Sequence, residues 1–327
     1  MSTSIYLNHY GVRLLGKNQD VPYDGAYFFT NRRGVAKTAM IMPPDRPMKW
    51  ISKYGSVTIS QVGKEMPNGG MNEVGLVVEQ TTLWQSSYPE QQELPAIGEL
   101  QWMQLMLDTC STVQEVIHTA ERLRIVNPLS RLHYMICDRV GECAIFEFLD
   151  GALSIYTGES LPIHVMANMP YLESIRNLED SEIQGHDTLG DYELNSMDRF
   201  KQAVKSLRKP VASAGFVFDI LQSIQRQDTA FSIVYDIDHL EIHFTSNRLS
   251  DRKKISLLEF DFVNDAQIAI DLQKSTGDGL IPIPYSTNLN RIVIESFFRD
   301  PALTAVFGWT ITEDMISFLA AFPATFQ

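Results

Sequence analysis

The residues of this sequence that could carry out a reaction are few. Ser2 stands at the start of the chain, Asp20 follows closely, and Asn168 and Arg199 come much later. A hydroxyl or thiol on the first residue of a chain can be activated by that residue's own α-amine, whose pKa is about 7.7–8.0. Once Met1 is removed, Ser2 would suit this N-terminal nucleophile chemistry.

Each of these polar residues also has an ordinary explanation. Serine at position 2 favours removal of a start methionine, whatever the function. Lys17 and Asp20, after a turn at Gly16, would ordinarily form a solvated pair in a loop. Asn168 is typical of a turn before Met169-Pro170. Asp198-Arg199 is typical of the start of a helix. Residue types alone leave both interpretations open.

Other features of the sequence exclude several classes of function. There is no P-loop, no GxGxxG after a strand, no GxSxG elbow and no EF-hand loop. The closest histidine pair, His239 and His243, lies around Glu241 in a strand-like run rather than on a helix. We therefore predict neither a cofactor nor a metal. The formal net charge of -13 disfavours nucleic acid and anionic membranes as partners.

The three cysteines, Cys110, Cys137 and Cys143, form no CxxC pair. We predict that they are buried core thiols. Cys137 and Cys143 flank a turn at 138–142, so a hairpin could bring them together, and a disulfide there stays an alternative.

The elements that must position the reactive residues come in groups of strands and pairs of helices. Strands are predicted at 4–7, 27–30, 56–59, 75–79, 132–136, 144–149, 153–156, 232–235 and 240–244. One helix is predicted at 97–109, and a second begins after a capping box of Ser111 and Gln114. Further helices are predicted at 197–207, 216–225 and 313–321. Turns are predicted at 67–70 and at Asp150-Gly151, the second within a hairpin.

This order of elements predicts two antiparallel sheets faced by helices rather than alternating βαβ units. The expected architecture is a four-layer α/β sandwich, helix–sheet–sheet–helix. No linker, low-complexity stretch or repeat divides the 327 residues, so we predict a single domain, 1–327.

Four segments, taken together and in order, resemble the choloylglycine hydrolase family. These N-terminal nucleophile (Ntn) amidases include bile salt hydrolases, penicillin V acylases and linear amide C–N hydrolases. The segments are STS at 2–4 with GKNQD at 16–20, KWISKYGSV at 49–57 with GGMNEVGL at 69–76, HVMANMP at 164–170, and DRF at 198–200. The second segment is especially similar to the linear amide C–N hydrolase branch, and the resemblance runs to about residue 247.

The resemblance implies an αββα Ntn-hydrolase fold, with the first residue of the mature chain at a strand end between the sheets. It places Ser2 on the nucleophile and Lys17 on a basic residue near it. Asp20 matches the carboxylate that holds the α-amine, and Asn168 matches an oxyanion-hole donor. Arg199 matches a charged residue that orients the residues of the site.

The implied reaction is attack on an amide carbonyl, followed by an acyl-enzyme that water hydrolyses. Asn168 and a backbone N–H near Thr82 would stabilise the tetrahedral oxyanion. Loops around Phe28, Trp84 and Tyr88 would shape the substrate pocket, although these aromatic residues are equally compatible with core positions.

Ser2 departs from the family, whose nucleophile is cysteine. A serine hydroxyl is far less ionised than a thiol, and with Met1 present the nitrogen of Ser2 is in a peptide bond. We therefore expect an inactive Cys-to-Ser form. A natural serine enzyme that is trimmed in the cell, and a pseudoenzyme that binds an amide ligand, stay open. Two departures are smaller. Thr82 in place of asparagine bears on substrate preference, and Lys17 in place of arginine keeps the charge but not the planar fork.

The expected function is hydrolysis of a linear, non-peptide N-acyl amide. An acyltransferase or cyclase that uses the same acyl-enzyme is the alternative. The partner would be a small-molecule amide, and the resemblance implies a homo-oligomer, a dimer or a tetramer. As written the sequence shows no signal-peptide core, which indicates a cytoplasmic protein, or a periplasmic or secreted one if a signal peptide has been removed.

Overall fold

The computed structural model of the protein describes residues 1–89, 93–126, 128–180, 190–276 and 279–327. The strands are β1 (Ser2–His9), β2 (Val12–Asp20), β3 (Tyr27–Asn31), β4 (Ala36–Thr38), β5 (Lys49–Ile51), β6 (Ser56–Ser60), β7 (Gly69–Asn72), β8 (Val77–Thr82), β9 (Ala96–Ile97), β10 (Arg124–Ile125), β11 (Leu132–Cys137), β12 (Cys143–Leu149), β13 (Ala152–Thr157), β14 (Val165–Met166), β15 (Thr229–Asp236), β16 (Glu241–Ser246), β17 (Lys253–Ser256), β18 (Ile268–Thr276) and β19 (Gly279–Pro284). The helices are α1 (Glu99–Thr109), α2 (Val113–Ala120), α3 (Tyr171–Asp180), α4 (Asp191–Leu207), α5 (Ala214–Ser223), α6 (Thr287–Phe298), α7 (Pro301–Phe307) and α8 (Glu313–Ala321). Within these ranges, no helix is long and apolar enough to cross a membrane.

Two large antiparallel sheets form the centre of the protein. The strand order is β14-β1-β2-β15-β16-β17 in the six-stranded sheet and β13-β12-β11-β8-β7-β6-β3-β18-β19 in the nine-stranded sheet. Apolar residues of the facing sides pack together between the sheets. Helices α4 and α5 cover the outer face of the six-stranded sheet, and α1, α2, α6 and α8 cover that of the nine-stranded sheet. The predicted αββα sandwich is therefore confirmed.

Strands β1 and β2 are buried on both faces because helices cover one side and the second sheet covers the other. In β1, Tyr6 packs between the sheets, while its neighbours Ile5 and Leu7 pack under the helices. The turn between β1 and β2 is formed by Tyr10 and Gly11, which both have positive φ. This hairpin places the start of the chain beside the end of β2.

The predicted turn at Gly16 is wrong, because Gly16 lies inside β2. A Cβ there would lie 2.4 Å from Cγ1 of Val217, so glycine lets α5 pack closely on the strand. The solvated loop pair is wrong as well, since Lys17 and Asp20 are 0% and 1% exposed.

The predicted turn at 67–70 is wrong in its second half, because Gly69 and Gly70 belong to β7. Gly69 pairs with Glu79 of β8, and a Cβ on Gly69 would lie 2.1 Å from the Glu79 Oε1 atom. The glycine therefore leaves space for a buried carboxylate rather than marking a turn.

Two helix starts differ from their predictions. Thr112 is the N-cap of α2 and accepts a hydrogen bond from the Glu115 backbone N–H, so the predicted box of Ser111 and Gln114 is wrong. Helix α4 begins six residues before the predicted start, at Asp191, because its first two turns are polar and carry little apolar periodicity. Arg199 therefore lies inside this helix rather than at its start.

The cysteine prediction agrees with the structure. Cys110, Cys137 and Cys143 are buried and free. Cys137 and Cys143 are paired across β11 and β12, and their Sγ atoms are 3.1 Å apart. The hairpin at Asp150-Gly151 is confirmed, with positive φ at both residues.

Glu99, in the first turn of α1, gives the fold a pH-dependent stability. Its Oε1 accepts hydrogen bonds from the backbone N–H groups of Leu129 and Ser130, at 2.9 and 2.8 Å. Burial raises the pKa of Glu99 from its ordinary 4.5 to about 7. The folded state therefore favours the protonated carboxyl of Glu99. The contribution of this group to the unfolding free energy is complete below pH 4.5 and is lost as the pH rises through 7.

We expect Glu99→Gln, which keeps the acceptor and cannot ionise, to remove this dependence. The unfolding free energy of the parent should fall relative to that of the variant by up to roughly 3 kcal/mol across this pH window. Urea unfolding of both proteins at a series of pH values measures the difference. A difference that stays constant with pH would show that Glu99 titrates normally.

Candidate active site

Ser2 begins β1 and lies between β2 and the segment that follows β14. It is 3% exposed and is paired with Gln19 of β2. Its backbone N–H donates to Oδ1 of Asn168 at 3.1 Å, and its hydroxyl donates to the carbonyl of Met1 at 2.5 Å. The side chain of Ser2 is therefore enclosed, and its hydroxyl hydrogen is engaged by the carbonyl of Met1.

Asn168 lies two residues after β14 and is fully buried. Its Oδ1 accepts from Ser2 and from Nη2 of Arg199, the latter at 2.8 Å. Its Nδ2 donates one hydrogen to the carbonyl of Thr82 at 2.8 Å, and its backbone N–H donates to Oγ of Ser196 at 2.9 Å. The side chain is thus fixed in orientation, and Nδ2 carries a second hydrogen for another acceptor.

Arg199 reaches the start of β1 from α4. Its Nη1 donates to the carbonyl of Ser2 at 2.9 Å and to Oγ1 of Thr3, while its Nε donates to Oδ1 of Asn195 at 3.1 Å. The guanidinium therefore holds both Asn168 and the backbone of the first strand, using the geometry of its planar fork.

Asp20 ends β2 beside the same strand end. Its Oδ1 accepts a hydrogen bond from Oγ1 of Thr229 at 2.6 Å. Its Oδ2 is buried and has no hydrogen-bond partner among the described residues, although Nη1 of Arg199 lies 3.9 Å away. Burial raises the pKa of Asp20, and the hydrogen bond from Thr229 opposes this shift. Such a carboxylate oxygen could receive a nearby ammonium group.

Met1 continues the ladder between β1 and β2. Its amine donates to the carbonyl of Asp20 at 2.8 Å, and its carbonyl accepts from the backbone N–H of Asp20 at 3.1 Å. Burial lowers the pKa of this amine to about 6, against the opposing charge of Asp20. Met1 therefore extends the strand beyond the nitrogen of Ser2, the atom that would be the α-amine of a trimmed chain.

Lys17 joins the two sheets. Its Nζ lies 2.7 Å from Oε2 of Glu79 and donates to the carbonyl of Asn68 at 3.3 Å. Tyr235 donates to Oε1 of the same glutamate at 2.6 Å. Burial lowers the pKa of Lys17 and raises that of Glu79. The contacts of Lys17 are thus those of a buried ion pair between β2 and β8.

The three aromatic residues predicted near the substrate differ in their surroundings. Phe28 is 1% exposed and packs between the sheets, with its ring centroid 4.9 Å from that of Phe244. Tyr88 packs on Phe148, with ring centroids 4.9 Å apart. Trp84 is 43% exposed. Trp84 is therefore the most exposed of these three residues, and a contact of any of them with substrate stays a prediction.

Several polar residues that hold the site were not found from the sequence: Ser196, Thr229, Glu79, His133 and Glu147. His133 and Glu147 do have a signal, since each is a single polar residue within an apolar strand run, whereas Glu79 is followed by the polar Gln80. Ser196 and Thr229 have none, because their partners are distant in sequence.

Residues 4–237 match the family described as "Linear amide C-N hydrolases, choloylglycine hydrolase family". The chain belongs to this family. The match covers more than half of the chain, and it confirms the resemblance carried by the four sequence segments. The family membership makes this chain a relative of amidohydrolases that act on linear C–N amide bonds.

Two penicillin V acylases are among the relatives of this choloylglycine hydrolase family member. The acylase of Pectobacterium atrosepticum is 30% identical over 139 residues, which are 38% of this chain and 36% of the length of that relative. The structure of the acylase from Agrobacterium tumefaciens aligns with a TM-score of 0.72 and 25% identity, over 88% of this chain and 99% of that one. A conjugated bile acid hydrolase from Clostridium perfringens aligns with a TM-score of 0.66 and 16% identity, over 87% of this chain and 97% of that one, which bears on the fold alone.

The geometry brings together four of the five residues predicted as catalytic. Ser2, Asn168 and Arg199 are joined by direct hydrogen bonds, and Asp20 lies beside them at the end of β2. In this family member the buried cluster combines a serine hydroxyl, an amide donor and a carboxylate. Such a cluster suits stabilisation of charge that develops on a carbonyl oxygen.

Proposed function

We propose that this chain is an N-terminal nucleophile amidohydrolase that cleaves a small-molecule, linear N-acyl amide. We further propose that the form with Ser2 behind Met1 is inactive. The observation that carries this proposal is a buried cluster in which the backbone N–H of Ser2 donates to Asn168, and Oδ2 of Asp20 has no hydrogen-bond partner among the described residues. An α-ammonium at the nitrogen of residue 2 would give that oxygen a charged hydrogen-bond donor.

In the trimmed chain, the α-amine of residue 2 acts as the base for the side chain of the same residue. The side chain attacks the amide carbonyl, and one hydrogen of Asn168 Nδ2 stabilises the oxyanion with a backbone N–H near Thr82. The C–N bond then breaks, the amine leaves with the proton taken up by the base, and an acyl-enzyme remains. Water then adds to the acyl carbonyl while the α-amine takes its proton. The bond between the acyl carbon and the side chain of residue 2 breaks, the side chain regains the proton, and the acid is released.

Asp20 and Arg199 would act on the amine and on the strand end rather than on the carbonyl. The charge of Asp20 favours the ammonium form and fixes its position, while Arg199 holds the carbonyl of residue 2 at 2.9 Å. A serine at position 2 can perform the same steps, but its hydroxyl is a weaker nucleophile than a thiolate.

The test compares Ser2→Cys with the Ser2 parent, both released so that residue 2 is the first residue. The substrates are p-nitroanilides of acetic, decanoic and phenylacetic acid. We expect Ser2→Cys to release p-nitroaniline from at least one of them, at a rate roughly 10²-fold or more above that of the parent. Added hydroxylamine separates hydrolysis from acyl transfer, because an acceptor amine converts the acyl-enzyme into a hydroxamate.

Two results would count against the proposal. Equal turnover by the trimmed Ser2 parent would show a natural serine enzyme instead of an inactive form. Binding of an anilide to both proteins, without release or adduct, would show the pseudoenzyme. Ser2→Ala, trimmed in the same way, is the control for background hydrolysis.

A further inference from the structure

A row of three buried polar residues crosses the inner face of the nine-stranded sheet, and the proposed reaction does not use it. Thr81 of β8 pairs with His133 of β11. The register of β11 and β12, which pairs Tyr134 with Phe146, places His133 opposite Glu147. All three polar side chains are 0% exposed. Nδ1 of His133 lies 2.9 Å from Oε1 of Glu147.

The row ends on the backbone that carries Asn168. Nε2 of His133 lies 2.9 Å from the carbonyl oxygen of Ala167, and Oγ1 of Thr81 donates to the same oxygen at 2.5 Å. On the other side of Asn168, the backbone N–H of Tyr171 donates to Oε1 of Glu147 at 2.9 Å. The two fixed points, Ala167 and Tyr171, therefore flank Asn168 in sequence.

The second fixed point also sets the start of α3, whose first residue is Tyr171. A carboxylate is favourable at a helix N-terminus, where backbone N–H groups lack partners within the helix. Glu147 thereby connects the helix start to the imidazole of His133. Oε1 of Glu147 and the carbonyl oxygen of Ala167 are both acceptors, so each contact is a hydrogen bond when the ring nitrogen that faces it carries a hydrogen.

We propose that His133 and Glu147, with Thr81, are positioning residues that fix Asn168 for its role in the oxyanion hole. None of the three makes a hydrogen bond to Ser2 in the described contacts. They hold the backbone on both sides of Asn168, while Ser196 and Arg199 hold Asn168 itself. The inference rests on the proposed function only for the role of Asn168; the positioning of the backbone is independent of it.

The expected kinetic effect follows from distance. A displacement of about 1 Å in a group that stabilises the transition state can lower a rate by about 10²-fold. Such a loss falls on kcat, because the interaction strengthens as the oxyanion forms. Loss of a merely structural contact would instead lower the overall stability without a specific loss of kcat.

The first experiment is hydrogen exchange measured by mass spectrometry on the full chain with Met1 and Ser2 in place. We expect Thr81→Val and His133→Leu to speed exchange in peptides that cover 165–171 by roughly tenfold, while peptides that cover β15 stay within twofold. His133→Gln should restore slow exchange, because its side-chain N–H can replace the contact of Nε2 with the carbonyl of Ala167. If exchange at 165–171 is unchanged, or rises equally in β15, the positioning proposal is overturned. This readout needs no turnover.

The second experiment uses the trimmed Ser2→Cys protein and the p-nitroanilide that it cleaves fastest. Thr81→Val and His133→Leu should lower kcat by about 10²-fold and leave KM within threefold. In an Asn168→Ala background, the same substitutions should cause no further loss, because they act through Asn168. Multiplicative losses in the double variants would overturn the proposal. If Ser2→Cys releases nothing, the proposed function fails, and the exchange experiment still decides the positioning claim.

Discussion

A chain that retains Met1 should acylate roughly 10³-fold more slowly than the same chain trimmed to residue 2, even when residue 2 is cysteine. The reason is the nitrogen of residue 2, which in a peptide bond has no basic lone pair. The Ser2 hydroxyl also donates to the carbonyl of Met1 at 2.5 Å, and the Met1 amine donates to the carbonyl of Asp20 at 2.8 Å. In the proposed mechanism, Met1 therefore removes the base.

A cleavable N-terminal fusion gives the matched pair of Ser2→Cys proteins, one beginning at Met1 and one at residue 2. The measured quantity is the rate constant of acylation by a p-nitroanilide in a single turnover. Asp20→Asn in the trimmed protein is the control for placement of the amine, and it should lose most of the rate that trimming restores. Equal rates with and without Met1 would contradict the role of the α-amine as base.

Lys17→Met should lower the unfolding free energy by about 3–5 kcal/mol. Lys17 and Glu79 are both fully buried, and their charged atoms are 2.7 Å apart. Removal of the lysine leaves the charge of Glu79 between the sheets with Tyr235 as its remaining side-chain partner in the described contacts. The size of the effect comes from the uncompensated charge rather than from lost packing, because methionine fills a similar volume.

The double variant Lys17→Met with Glu79→Gln is the control, because it removes both charges and keeps the hydrogen-bond acceptor for Tyr235. Most of the stability should return, and urea unfolding of the four proteins measures the coupling. A loss below about 1 kcal/mol in Lys17→Met would contradict a tight ion pair. Turnover by the double variant in the trimmed Ser2→Cys background separates this structural role from the catalytic role that the family resemblance implies for Lys17.

The elements that could be predicted from the sequence have local signals. The hairpin at Asp150-Gly151 follows from two residues that tolerate positive φ, and α8 follows from its apolar periodicity after Thr312, which caps it. The first turns of α4 were missed because their residues are mostly polar. Gly16 and Gly69 were misinterpreted as turn residues, because space for a neighbouring side chain leaves the same sequence pattern as a turn.

The members of the site were predicted by family resemblance, but their contacts were not. Ser2 and Asn168 are 166 positions apart, and only the pairing of β1 with β14 brings them together. His133 and Glu147 could have been singled out as isolated polar residues in neighbouring strands. Their target, the carbonyl of Ala167, has no signal in the sequence because every residue carries such a group.

The proposed reaction is tested most directly by finding the residue to which an acyl group becomes attached. The trimmed Ser2→Cys protein is mixed with the p-nitrophenyl ester of the acyl group that it releases fastest, quenched in acid, and examined by intact mass and peptide mapping. We predict one acyl group per chain, on the side chain at position 2, and acylation roughly 10²-fold slower on the trimmed Ser2 parent, which contains the same three buried cysteines. Turnover without an adduct at position 2, or an adduct at another residue, would contradict the proposed reaction.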